Sequence, residues 1–196
     1  MSVTDKVFLA SGSPRRRELI SEITENFVVL RGAGSEPVWD NVESPLTYLN
    51  RVLEHKWAQG RELLIKSNED KSLLLVADTI VVLGSKVLGK PQDSCEAIEI
   101  LRLLSGRRHE VWTGFCLDRA RVQSPPKHRT VTEVEFRNLK LGEIKDYVRT
   151  GEPMDKAGAY GFQDRAFGFI RRVRGPCSNI VGLPVMELRA VYEGLQ

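Results

Sequence analysis

Cysteine is scarce in this chain. Cys95, Cys116 and Cys177 are its only three, they lie far apart, and none belongs to a CxxC pair. That excludes a disulfide scaffold. With only three histidines it also leaves no recognisable spacing of Cys/His metal ligands. The expected state is reduced thiols in an intracellular protein. Aromatic residues make up 7% of the chain, too few to interleave with basic residues as the stacking surfaces of RNA-binding modules do. The net charge of +3 is too small to mark a nucleic-acid binder, so no stable nucleic-acid partner is expected. No apolar run reaches the ~20 residues of a membrane-spanning helix. The N-terminal MSVTDKVFLA lacks a basic segment followed by a long apolar one. No membrane association and a cytoplasmic location are the expectations. Internal repeats and low-complexity segments are lacking too.

What is present is ordinary for a globular protein: 41% hydrophobic and 28% charged residues. The length of 196 residues fits one domain, or two lobes sharing a core, and we take residues 1–196 as a single domain. Helical and extended patterns alternate, which predicts an α/β protein. Strands are expected at 7–10, 26–30 and 73–77, the last stopping at Asp78 with 79–83 continuing extended into a hairpin turn at Gly84-Ser85-Lys86. Helices are expected from Pro14, from Pro45 to Leu64, and after Asp93, which forms a capping box with Glu96. The inner face of that third helix reads Ala97, Ile98, Leu101 and Leu104, and Gly106 ends it. Further strands are expected at 109–118, 130–136 and 167–173, and helices at 142–149 and 184–192. The basic, proline-containing loop 119–129 is expected to be exposed and locally disordered.

The most informative stretch is LASGSPRRRELI, residues 9–20. A short apolar strand runs into a Ser-Gly-Ser turn. Ser13 is a good N-cap and Pro14 suits the first helical position. Hydroxyls, free backbone N–H groups and Arg15, Arg16 and Arg17 thereby gather at a helix N-terminus, a place suited to an anion such as phosphate. Three cations there oppose the helix dipole, and a bound polyphosphate removes that conflict. An arginine triplet is equally compatible with a solvated surface.

Asp78 ends the run Leu73-Leu74-Leu75-Val76-Ala77. A carboxylate there either turns the chain or has a partner, a metal or a proton to take. Lys90 lies in LGKPQD, Lys56 within the second helix, and Glu36 in a glycine-containing loop. The segment GEPMDKAGAYGFQD, residues 151–164, combines glycines with an Asp155-Lys156 pair and Gln163, whose amide can read a planar base edge. We read it as a ligand-facing loop. Together, two oxygen ligands (Glu36 and Asp78), cations at Arg16, Lys56 and Lys90, and the Ser11–Ser13 turn suit metal-assisted attack of water on a polyphosphate.

The segments LASGSPRRRELI, ADTIVVLGSKVLGKPQD, LLSGRRHEVWTG, GEPMDKAGAYGFQ and IVGLPV, in this order and across essentially the whole chain, resemble the Maf family of nucleoside triphosphate pyrophosphatases. The resemblance implies an α/β fold with a mixed, elongated central sheet, flanking helices and a cleft between two lobes. It implies hydrolysis of nucleoside triphosphates to monophosphate and diphosphate with a divalent cation, Mg2+ or Mn2+, and a homodimer. Residue by residue, it implies phosphate contacts for Ser11, Ser13, Arg16, Lys56 and Lys90. It makes Asp78 the catalytic carboxylate and a metal ligand, with Glu36 as a second metal ligand. The neighbourhood of Glu36, Arg31-Gly32-Ala33-Gly34, departs from the family's usual hydrophobic-Ser pattern. Arg15, Thr79 and Gln163 match the subgroup resembling dTTP/UTP pyrophosphatases, whereas the subgroup acting on 7-methyl-GTP has tryptophan, glutamine and glutamate at these positions. The chemistry agrees: an aromatic ring stacks on a cationic methylated purine, while glutamine and arginine suit the carbonyl-rich edge of uracil or thymine. The expected substrates are therefore dTTP and UTP, with modified pyrimidine nucleotides as further candidates. The rival reading is a nucleotide-binding regulator of cell division without significant catalysis. Asp78 weighs against it, because binding alone needs no carboxylate beside a triphosphate.

Overall fold

The structure, a computed structural model, describes residues 5–30 and 37–196. Two compact units are formed: Met1–Asp78 with Thr113–Thr130 and Gly182–Gln196, and Thr79–Trp112 with Val131–Val181. Among the described residues seven strands make one mixed sheet: β1 (Val7–Ala10), β2 (Phe27–Leu30), β3 (Leu73–Leu83), β4 (Lys86–Leu88), β5 (Arg108–Arg119), β6 (His128–Phe136) and β7 (Ile170–Arg174). Their order is β2-β1-β3-β5-β6-β7, with β4 paired to β3 off this path. The helices are α1 (Pro14–Ser21), α2 (Pro45–Lys66), α3 (Ser94–Leu104), α4 (Leu141–Val148), α5 (Cys177–Val181) and α6 (Val185–Gly194). The expected mixed α/β sheet with flanking helices is present. Among the described residues no helix is long and apolar enough to cross a membrane.

In the first unit, β1 lies between β2 and β3 and is parallel to both, with Leu9 opposite Val29 and Leu75. Side chains alternate between the faces of a strand, so Val7, Leu9 and Leu75 share one face. They meet α1 and α6 there: Val7, Ile20, Leu75, Leu117, Leu188 and Tyr192 line one small void. Phe8, Ala10 and Leu74 belong to the other face, which α2 covers. Ser44 caps α2 and Pro45 occupies its first turn, while Leu49, Val52, Leu53, Trp57 and Leu64 are buried at helical spacing. Gly60 removes the side chain where α2 packs on Leu74 and Ala10. A Cβ there would lie 2.9 Å from Leu74 Cδ1 and 3.5 Å from Ala10 Cβ.

The core of the second unit gathers Val81 and Leu88 from the β3–β4 hairpin, Ala97, Ile100, Leu101 and Leu104 from α3, Val134 and Phe136 from β6, and Ile144, Tyr147 and Val148 from α4. Asp93 caps α3 through a 2.8 Å bond from Glu96 N to Asp93 Oδ1, while the Glu96 carboxylate accepts not from Asp93 N, as a capping box would have it, but from Gln92 N at 2.7 Å. Ile100, not Ile98, completes the buried face, because the 97–100–101–104 spacing stays closer to one side of a 3.6-residue helix.

Three further expectations are corrected, and one element is added. Leu73–Leu83 is one unbroken strand, so Asp78 lies inside it and not at its end. The loop 119–129 is tied down: Ala120 N and Arg121 N donate to Ser72 O and Asp70 O, Trp57 Nε1 donates to Val122 O at 3.0 Å, and Lys127 pairs with Glu54. The segment Arg165–Phe169 is a 3-10 helix, and β7 begins only at Ile170. The short α5, absent from the sequence reading, precedes α6.

Candidate functional site

The carboxyl ends of adjacent parallel strands are the usual place for ligands in an α/β sheet. In the first unit, β1 ends at Ala10 and passes directly into the Ser-Gly-Ser turn. Leu9 is level with Leu75 on β3, so Asp78, three residues further along, reaches the height of that turn.

The turn is internally bonded. Ser11 Oγ accepts from Ser13 N at 3.3 Å and from Arg16 Nη1 at 3.2 Å. Ser13 has extended geometry and accepts from Arg16 N at 3.4 Å, the N-cap expected of it. Pro14 opens α1, which has no acidic residue in its first turn, so the positive end of the helix is not neutralised from within. A Cβ on Gly12 would meet nothing within 4 Å. Arg16 departs from a simple surface cation. It is 9% exposed, and its Nε donates to Gly182 O at 2.9 Å. The guanidinium thus joins two of the segments singled out in the sequence, residues 9–20 and IVGLPV. Arg15 beside it is half-buried and Arg17 exposed.

Asp78 shares its strand face with Leu74 and Val76, the face that α2 covers. Lys56 is four residues before Gly60 and so lies on the same side of α2. Its Nζ is 2.6 Å from Asp78 Oδ1 and 3.4 Å from Ala77 O. The two side chains are 12% and 13% exposed, so this is a largely desolvated ion pair. The close approach that Gly60 permits is what brings the lysine to the carboxylate.

In the second unit, Thr79 follows Asp78 on β3 and points to the opposite face. Lys90 is exposed just after β4. Residues 152–169 form three 3-10 turns. They dock onto the hairpin beside Thr79 and Lys90. Gly158 N donates to Gly89 O at 3.0 Å, and a Cβ on Gly158 would lie 2.8 Å from Val81 Cγ2. Gly158 also has φ of +70°, where L side chains are strained. Gln163 is exposed at the end of this segment. The Asp155-Lys156 pair does not face outward as a unit, because Lys156 is buried. Its ammonium is a feature that sequence reasoning passed over as one half of a charged pair.

Among the expected site residues, the structure brings Ser11, Ser13 and Arg16 into bonded contact and pairs Lys56 with Asp78. Thr79, Lys90 and Gln163 belong to the second unit, and Glu36 lies outside the described residues. No group of three His, Cys, Asp or Glu side chains suited to a metal occurs among the described residues.

A family model described as Maf-like protein matches residues 6–195. The chain is 37% identical over 195 residues to a protein of Clostridium acetobutylicum named dTTP/UTP pyrophosphatase, covering 97% of this chain and 98% of that one. It is 42% identical to the dTTP/UTP pyrophosphatase of Salmonella typhimurium (92% of this chain, 88% of that one) and 40% identical to that of Thermococcus kodakarensis (90% of each). Among solved structures, a nucleoside-triphosphatase, dITP/XTP pyrophosphatase, of Mycobacterium abscessus matches with a TM-score of 0.39 and 12% identity over 67% of this chain and 72% of that one. That likeness is too slight to bear on the fold or the chemistry.

Proposed function

The chain belongs to the Maf-like protein family, and on that premise we propose that it is a nucleoside triphosphate pyrophosphatase acting on dTTP and UTP. The anhydride between the α- and β-phosphates opens, water supplies the new oxygen, and monophosphate and diphosphate leave. The observation that carries this reading is the desolvated Lys56–Asp78 pair set level with a capped Ser-Gly-Ser turn. The relatives' names supply the substrates.

In this reading the turn at Ser11–Ser13 and the N-terminus of α1 receive phosphate oxygens through N–H and hydroxyl donors. Arg16 holds the turn to Gly182 while adding positive charge, and Lys56 and Lys90 contribute further charge to the triphosphate. Asp78 orients the attacking water and takes its proton, and Lys56 keeps that carboxylate in place. Arg15, Thr79 and Gln163 select the base, Gln163 by pairing its amide with the carbonyl and N–H of uracil or thymine.

A divalent cation, Mg2+ or Mn2+, fits the donors present. Such ions take one or two carboxylates together with substrate phosphates, and need no cage of three protein ligands. Asp78 would hold it, with Glu36 as second carboxylate, and the ion would neutralise charge on the phosphoryl oxygens. A cytoplasmic homodimer completes the proposal.

The test is product analysis on a panel of nucleoside triphosphates with Mg2+ or Mn2+, and with chelator. Diphosphate and monophosphate from dTTP and UTP, lost on chelation, is the expected result. Nucleotide binding without turnover overturns the reading in favour of a regulator.

A further inference from the structure

We propose that Lys156 is a positioning residue for base selection: its buried ammonium clamps Asp164 and thereby fixes the neighbouring Gln163. The inference rests on the reading of Gln163 as a base-contacting residue.

Lys156 is 8% exposed. Its Nζ donates to Glu152 O at 2.5 Å and to Asp155 Oδ1 at 2.7 Å, and it faces Asp164 Oδ2 at 3.2 Å. The ammonium thus donates two hydrogen bonds and pairs by charge with a third oxygen, which compensates the charge it buries. The two carboxylates differ. Asp155 is 70% exposed and adds little beyond neutralising charge, whereas Asp164 is 30% exposed. Asp164 Oδ2 is closed off from water and has no hydrogen-bond partner, so what holds it is its charge pairing with this cation.

Two further features hold the same stretch. Gly161 has no room for a side chain: a Cβ there would lie 2.0 Å from Asp164 Oδ2 and 2.8 Å from Lys156 Cε. The missing side chain is what lets the ammonium and carboxylate close on each other. On the other flank, Arg165 N donates to Glu152 Oε2 at 3.3 Å. Both residues after Gln163 are therefore tied back to the 152–156 turn, and Gln163 is the exposed residue immediately before them. An amide that reads a base edge works only when its plane is fixed. A loosely held glutamine gives up the orientation that separates one base from another. Removing the ammonium leaves a carboxylate that is stable only if it swings to water, and Gln163 moves with it.

The experiment measures kcat/KM for UTP and CTP, whose bases differ only at the edge Gln163 is proposed to read. The chains compared are the full wild type, Gln163→Ala, Lys156→Met, and the double variant Gln163→Ala/Lys156→Met. Gly161→Ala serves as a second route, because it displaces Asp164 without deleting a polar group and is decisive if Lys156→Met does not fold. Lys156→Met and Gly161→Ala are expected to lower the UTP/CTP ratio about 10-fold, mainly through KM for UTP. The double variant is expected to match Gln163→Ala alone. If Gln163→Ala leaves the ratio unchanged, the reading of Gln163 fails and takes the clamp with it. If Gln163→Ala changes the ratio but Lys156→Met and Gly161→Ala slow both nucleotides equally, or add their effect to that of Gln163→Ala, Lys156 is structural only and the inference is overturned.

Discussion

Lys56 Nζ and Asp78 Oδ1 stand 2.6 Å apart, on a helix and a strand that can meet there because Gly60 and Leu74 pack without a side chain between them. Charge, desolvation and position combine in this pair. A carboxylate in the middle of an apolar strand needs a cation, and this cation is one turn of helix from the contact at Gly60.

Asp78→Asn keeps the shape and an acceptor for Lys56 but cannot take a proton. Turnover on UTP is expected to fall by roughly 10²-fold or more, the range for loss of general-base help, with the fold retained by circular dichroism. A folded variant of near-normal activity would remove Asp78 from the chemistry.

Gly60→Ala sets two effects against each other. Alanine gains about 1 kcal/mol over glycine in a helix interior. The new Cβ, 2.9 Å from Leu74 Cδ1, meets a side chain with no exposure at all, and overpacking costs about 1–3 kcal/mol. Overpacking is expected to win, lowering the melting temperature by ~2–4 °C. Adding Leu74→Val should recover part of the loss. A more stable single variant would show that the helix–sheet spacing yields easily.

Part of this arrangement was legible in the residues alone, and part was not. Strand, turn and capped helix at 7–21 follow from local chemistry: an apolar run, then Ser13 and Pro14, whose preferences are set within a few residues. The N-cap at Asp93 is legible for the same reason. Asp78 read as a strand end, because a carboxylate after five apolar residues gives no local sign that the partner making it tolerable lies on another helix. The loop 119–129 looked free because its anchors, backbone carbonyls at Asp70 and Ser72 and the side chains of Glu54 and Trp57, are all more than 45 residues distant in sequence, and no local pattern records them. Lys156 was seen as half of an adjacent charged pair, while its less exposed partner Asp164 is eight residues on. Each miss is a tertiary contact overriding a local reading.

Arg16 and Lys90 are both proposed to serve the triphosphate, yet they differ in what else they do. Arg16 is buried and donates to Gly182 O, a charge-assisted bond of about 1.5–3 kcal/mol. Arg16→Ala should lower both stability and activity, to a similar factor on every nucleotide. Lys90 is exposed, so Lys90→Ala should weaken activity on every nucleotide while shifting stability by no more than about 0.5 kcal/mol. Thermal melts alongside kcat/KM on UTP and dTTP check this. Losses that depend strongly on the base would show that these residues read the base instead.

His109 gives a prediction about pH. It is 2% exposed on β5, with Nε2 2.8 Å from Tyr160 Oη and its ring edge-on to Phe136 at 5.0 Å. Its Nδ1 is buried with no hydrogen-bond partner. Burial disfavours the imidazolium and pushes the pKa down from 6.5 to about 4. Between these values the unfolded chain binds a proton that the folded chain refuses, so acid favours unfolding. Stability is unaffected by this group above pH 6.5, falls as pH drops below it, and has lost about 3 kcal/mol near pH 4. Glu143, held down to about 2 by its hydrogen bonds with Arg137 and the Lys140 backbone, begins to cost stability only below its ordinary 4.5. The window between pH 6.5 and 5 therefore separates the histidine from that carboxylate. Denaturant titrations of wild type and His109→Gln across that window decide the matter. Glutamine can still bond Tyr160 but does not titrate, so its profile should be flatter than the wild type's. Parallel slopes for the two chains would mean that His109 takes up its proton in the folded state and that its burial does not govern acid sensitivity.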